Sequence, residues 1–323
     1  MPRTTLALTS FVSGELGPKL GGRIDFQKYK SGCKTLQNFL VQPQGAASRR
    51  VGTQFIAEVK NSAQTQRLIP FEFSTEQTYI LEFGDQYMRV FKDKGQVLSS
   101  GSPFEISTPY LQTELSEIKF AQSADVLYLC HPNHAVRKLS RTGHTSWTLT
   151  IVDFTNGPLL TTNQTATTMQ ISHTSGTSRT ITASTNVFAS TDVGRFVAFR
   201  DGFAKITAFS SATSVSVDIT KNFASTSSTT EWQLGAFSDT QGHPSCVSFF
   251  EQRLVFAGTN IEPQTLYFSK SGDYENMTAG TDADDAMVYT IASNQVNRIR
   301  YLKTQRTLIV GTSGGEFTAS ADG

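Results

Sequence analysis

The chain has 323 residues, 38% hydrophobic and 17% charged, with 23 Phe against 2 Trp, which is enough apolar material for a packed core and argues against disorder. Basic and acidic side chains nearly cancel to a formal net charge of +1, so no global basic field holds nucleic acid by counterion release. Cys33, Cys130 and Cys246 lie far apart with no C-x-x-C pair, which argues against a disulfide framework and a zinc knuckle and fits folding in a reducing compartment.

Residues Met1 to Gly14 alternate apolar residues with Thr and Ser and lack the apolar run and cleavage site of a secretory signal. No stretch approaches the 18 or so apolar residues of a membrane span, so no membrane anchor is expected. The segment 1–66 reads as a packing extension of the body, with a short helical pattern around Gln27 to Phe39. Its Arg49–Arg50 pair is a candidate contact with a neighbouring subunit, an acidic partner or DNA phosphates, weighed against an exposed turn.

A repeat follows. The segments starting at Leu68, Glu117, Pro244 and Asn297 share one order: apolar strand, polar turn, apolar strand, loop, third strand. Their central strands align on Tyr79, Leu127, Leu254 and Leu308, each in a short run of β-branched, aromatic or leucine side chains suited to burial on both faces. The first and second anchors lie about 48 residues apart and the third and fourth about 54, near the period of a propeller blade. A second short helical pattern spans Tyr110 to Ile118.

The interval from Leu127 to Leu254 exceeds one period by roughly 75 residues, the size of a small module. From Pro158 to Glu231 about two fifths of the residues are Ser or Thr. Period-2 strands appear at Thr168, Arg179, Arg195, Phe203 and Ser214. Val187, Phe188, Phe196, Phe199, Phe203 and Phe209 supply the apolar face that a linker would lack. The expected fold is therefore all-β: an incomplete β-propeller-like body with an inserted small β-barrel. The divisions are 1–66, repeats one and two at 67–157, the barrel at 158–236, and repeats three and four at 237–323.

Chemistry is sparse. His131 and His134 beside Cys130 hint at a metal site, but Pro132–Asn133 between them marks a hairpin turn, the favoured reading. Asp282, Asp284 and Asp285 form a weak calcium candidate in a loop that lacks the spaced Gly and distal Glu of a full binding loop. No nucleophile elbow, Walker A run or dinucleotide glycine turn occurs, so no cofactor and no catalytic residue is assigned and the chain is read as a non-enzyme. Asn163 and Asn276 head glycosylation patterns that carry meaning only in a secreted chain.

Longer motifs add a resemblance. Phe11-VSGELGPKLGGRIDFQKYKSGCKTLQNF, Pro43-QGAASRRVGTQFIAE, Arg67-LIPFEFSTEQTYILEFGD, Lys119-FAQSADVLYLCHP, Arg137-KLSRTGHTSWTL and Phe250-EQRLVFAGTNIEPQTLYFSKSGDYENM resemble the tailed-phage structural proteins related to tail tubular protein B, the tail nozzle of short-tailed phages. The insert, with Phe188-ASTDVGRFVAF, is similar to the small barrel termed FCCH-like after a domain of ubiquitin-activating enzymes, a likeness of shape without ubiquitin chemistry.

The resemblance implies a virion protein assembled in host cytoplasm, a ring of identical subunits next to portal and adaptor proteins, and transient, non-specific passage of DNA through a lumen poor in cations. The resemblance implies that the family continues beyond the point inside the fourth repeat where this chain stops, so the chain is expected either to be a fragment, the favoured reading, or to have its open end completed by a partner subunit, with a stop just after the repeat's second strand and a ragged edge near 308–318. The rival readings are a tail propeller that binds or depolymerises host glycan, and a head–tail adaptor.

Overall fold

The computed structural model describes residues 7–320, in two compact units, Met1–Ile56 and Ala57–Gly323. The first unit holds little regular structure: a parallel pair of two-residue strands, Gly14–Glu15 with Gly32–Cys33, and one antiparallel hairpin, Phe39–Val41 with Ala47–Arg49. The sequence-predicted helix at Gln27 to Phe39 is only a 3-10 turn over Gln27–Ser31, and the one at Tyr110 to Ile118 is a 3-10 helix over Gln112–Glu117.

The second unit is all-β. Four antiparallel sheets follow one another along the chain. The first has Arg67–Glu72, Thr78–Gly84, Tyr87–Lys92 and Glu105–Ser107 in spatial succession, with Gly95–Gln96 paired beside the third of these. The second is the meander Lys119–Ser123, Val126–His131, His134–Gly143 and Ser146–Ile151. The third runs Cys246–Phe250, Arg253–Ala257, Thr265–Phe268 and Met287–Thr290, and the fourth Ile299–Thr304, Leu308–Thr312 and Glu316–Ala319. Tyr79, Leu127, Leu254 and Leu308 each lie in the second strand of their sheet, as the repeat requires. A third strand in the fourth sheet corrects the expectation that the chain breaks off after the second: Leu308–Thr312 is paired along both edges, and Glu316–Ala319 is the outer strand.

Alternation of side chains across the second strands of the second and third sheets joins three successive cores. Leu127 and Leu129 point to the first sheet and pack with Ile69, Phe71, Leu81 and Trp147. Their neighbours Tyr128 and Cys130 point the other way, to Leu254, Phe256 and Tyr267 of the third sheet. Val255 and Ala257 in turn face Leu308 and Val310 of the fourth. Adjacent residues of one strand thus serve two different cores, which is why these strands read as unbroken apolar runs. Two glycines admit a close aromatic: Gly84 pairs across the ladder with Tyr87 and Gly311 with Tyr301, and a Cβ at either would meet the ring at 2.1 or 2.0 Å.

Between the second and third sheets lies a six-stranded, nearly closed barrel. Its order is Met169–Ile171, Arg179–Ala183, Ser214–Lys221, Gly202–Ser211, Phe196–Phe199, Trp232–Leu234. Met169 exchanges both backbone hydrogen bonds with Thr229, just ahead of the last strand, and so draws the two edges together. The interior is filled by Ile181, Val197, Ala204, Ile206, Val215 and Val217 with Phe199 and Phe223. Phe196 and Phe203 instead alternate with the interior residues Val197 and Ala204 and fall on the outer face, while Phe209, opposite Val215 beyond a register shift, is left exposed.

One ion pair is wholly interior. Asp192 (0% exposed) bonds Arg195 (2%) at 2.9 Å and accepts the Ala189 N–H at 2.8 Å, while Arg195 Nε reaches the Gly235 carbonyl at 2.8 Å. This clamp ties the turn before Phe196–Phe199 to the strand that leaves the barrel. Asp192→Ala strands the guanidinium without its counter-charge and is expected to cost about 3–5 kcal/mol in urea unfolding, whereas the double replacement Asp192→Ala/Arg195→Met recovers part of that loss.

Candidate functional site

The densest group of titratable side chains sits where three segments meet. The 3-10 helix Gln112–Glu117 follows the first sheet and presents Glu114, whose carboxylate accepts the Leu111 N–H at 3.0 Å. His131 and His134 flank the two-residue turn Pro132–Asn133 as directly opposed residues of the ladder, so a β-hairpin, not a shared helical face, brings their rings to 5.1 Å. His243, on the lead-in to the third sheet, donates its backbone N–H to the Pro132 carbonyl at 3.1 Å.

Glu114 Oε2 lies 2.7 Å from His134 Nε2, and Glu114 Oε1 takes a long bond from Asn133 Nδ2 at 3.4 Å. Burial alone would raise the Glu114 carboxyl; the bonds from His134, the Leu111 N–H and Asn133 outweigh it and bring the group to about 2. Tyr110 packs edge-on against His134 at 5.2 Å, and burial pushes its phenol well above the ordinary range. His131 and His243 are both buried, and desolvation lowers both pKa values against the opposing pull of Glu114 and Glu117 on the first and of Asp239 on the second. His243 Nε2 bonds Asp239 Oδ1 at 2.8 Å.

Among the described residues, Glu114, His131 and His134 are the one group whose potential ligand atoms all lie within 4.8 Å of one another. The tautomer decides what they can hold. The Asn133 N–H donates to His131 Nδ1 at 3.2 Å, so the neutral ring carries its proton on Nε2. That Nε2 is buried without a partner, 3.7 Å from the carboxylate of Glu117, itself 62% exposed. The cluster therefore offers a cation two ligands and an N–H, where a metal site would need a third lone pair. Its geometry suits a proton-sensitive joint between segments.

The other sequence candidates lie elsewhere. Lys270 Nζ pairs with Asp284 at 3.1 Å and Asp285 at 3.2 Å, and Asp285 also accepts the Asp282 backbone N–H at 3.1 Å, which with Lys270 lowers its pKa. Asp282, Asp284 and Asp285 thus engage Lys270 and their own backbone, and the buried Arg253 fastens the same loop through the carbonyls of Ser269, Ala283 and Asp285. Arg49 ends the hairpin of the first unit opposite Phe39, Arg50 donates its backbone N–H to Asn38, and both side chains are exposed. A cleft of about 280 Å³ between the first strands of the second, third and fourth sheets gathers Lys119, Arg298 and Arg300 with Glu117 and Ser245. Sequence spacing exposed the His131–His134 pair but gave no signal for Glu114 or His243, which come from different segments. No family model and no curated protein matches this chain. No helix among the described residues is long and apolar enough to cross a membrane.

The histidines set a pH dependence. Because the folded pKa of His131 and of His243 lies below the free value of about 6.5, the unfolded chain binds more protons between those limits. Their contribution is complete above about pH 6.5 and is lost as pH falls through it, with a slope of up to about 1.4 kcal/mol per pH unit for each ring. Urea unfolding between pH 7.5 and 5.5 is expected to show this decline, and His131→Gln/His243→Gln is expected to flatten it.

Proposed function

We propose that this chain is a structural subunit of a bacteriophage tail, of the tail-nozzle kind, contributing to a ring through which DNA leaves the particle. The sequence likeness to tail tubular proteins spans the segments that form the first, second and third sheets and the N-terminal unit. The build of the body supports this reading: four sheets are locked by three cores that share strands, and a barrel is inserted between the second and third sheets.

The observation that carries the reading is the sign of the body's charge. Residues 57–323 hold 20 Lys and Arg against 25 Asp and Glu, a net of −5. A wall of that sign repels phosphates and lets a duplex slide, whereas six to ten cationic contacts would grip it. The cleft with Lys119, Arg298 and Arg300 is a local exception, too small to track a backbone.

Imaging of intact virions labelled with antibody against the barrel, residues 158–236, tests the proposal. Label on the tail is the expected outcome, and label on the capsid surface, or none on the particle, overturns it.

A further inference from the structure

The charge of the chain is divided by position. Against the body's −5, residues 1–56 carry eight Lys and Arg and two Asp and Glu, a net of +6. A total of +1 hides a short basic unit and a long acidic one.

The same unit has no core. Among its described residues the only fully buried one is Gly45. Ten large apolar side chains stand exposed within its 50 described residues, against thirteen in the 264 described residues of the body. Ile24, Val51 and Phe55 are 77%, 82% and 76% exposed. The hairpin Phe39–Val41 with Ala47–Arg49 is two-stranded, and Phe39, Leu40 and Val41 are all bare, so both of its faces and both of its edges are open. Such a ribbon is marginal in water on its own and gains stability by laying its apolar side chains against another surface. In the same unit, a cleft of about 800 Å³ lined by Leu8, Leu16, Ile24, Tyr29 and Cys33 is shaped to receive apolar groups.

We propose that the basic N-terminal unit of one copy is the docking element for the acidic body of a second copy. The surface it needs joins apolar groups with cations: Lys30 and Lys34 line the apolar cleft, Lys28 is exposed on the 3-10 turn that carries Tyr29, and Arg49 and Arg50 are exposed at the end of the hairpin. A body with five surplus carboxylates is the complementary partner that this chain itself supplies in equal number. The contact is heterologous, one surface on a different surface, and so propagates head to tail and closes into a ring when the rotation permits. It shares with the tail reading the premise that copies associate, but does not depend on where in a particle they do so.

Sedimentation of the full chain at 0.05 M and 0.5 M salt, with the variants Lys28→Glu/Lys30→Glu/Lys34→Glu and Val51→Ser/Phe55→Ser, tests it. All five side chains are exposed, so circular dichroism of the variants should keep the β signature of the parent. The expected result is concentration-dependent oligomers, a dissociation constant at least tenfold higher in 0.5 M salt and in each variant, and cross-links between N-terminal lysines and body carboxylates that join isotopically distinct copies in a mixed sample. A monomer at all concentrations, an oligomer indifferent to salt and to the variants, or cross-links confined to single copies would each overturn it. So would dissolution of the oligomer by a duplex oligonucleotide at 0.15 M salt, which would assign the basic unit to nucleic acid. Virion labelling can fail while this assembly stands, and the reverse, so the two proposals separate.

Discussion

The body rests on a single constraint: an antiparallel sheet with apolar residues on both faces must be covered twice. Leu127 and Leu129 are covered by the first sheet, Tyr128 and Cys130 by the third, and the strand that carries them belongs to two cores at once. No sheet in the stack can therefore be removed without baring its neighbour. Stability is pooled along the series in the manner of repeat proteins, where each unit leans on the next and interface energies count as much as the units' own.

This pooling explains which parts of the fold were legible. The strands around Leu127 and Leu254 serve two cores and read as continuous apolar runs; those around Tyr79 and Leu308 each face one core, with Ile80 exposed and Ile309 half-buried on the other side, yet are apolar enough to mark the repeat as well. The outer strands Glu105–Ser107, Ser146–Ile151 and Met287–Thr290 are covered on one face at most and mix polar with apolar residues, so the three-strand repeat did not include them. Glu316–Ala319 was hidden behind the Gly314–Gly315 turn for the same reason. In the barrel the strands were visible by alternation, but the expected apolar face was not all interior: Phe196 and Phe203 alternate with Val197 and Ala204 and fall outside, and a register shift that the sequence does not reveal leaves Phe209 exposed.

The site was less legible than the fold, since its parts come from separate places in the chain. A histidine pair three apart is visible in any sequence; its carboxylate partner seventeen residues upstream and its third histidine over a hundred residues downstream are not. The same holds for the acidic loop, where Lys270 from a different strand end decides what Asp284 and Asp285 do. Charge behaves differently again. Overall neutrality showed no global basic field, and only the division at Ile56 that the structure draws shows that neutrality to be a balance of a basic and an acidic unit.

The barrel enters and leaves its host through adjacent backbone. Ala236 donates to the Pro158 carbonyl at 2.8 Å, Leu160 donates to Leu234 at 2.8 Å, and Leu159 bridges Gly235. A module whose two ends already touch closes no loop when it is present and opens no gap when it is gone, so the chain between Pro158 and Ala236 can be shortened, lengthened or exchanged at almost no entropic cost to the stack. Outward-facing variation can accumulate there while the wall that carries it stays unchanged.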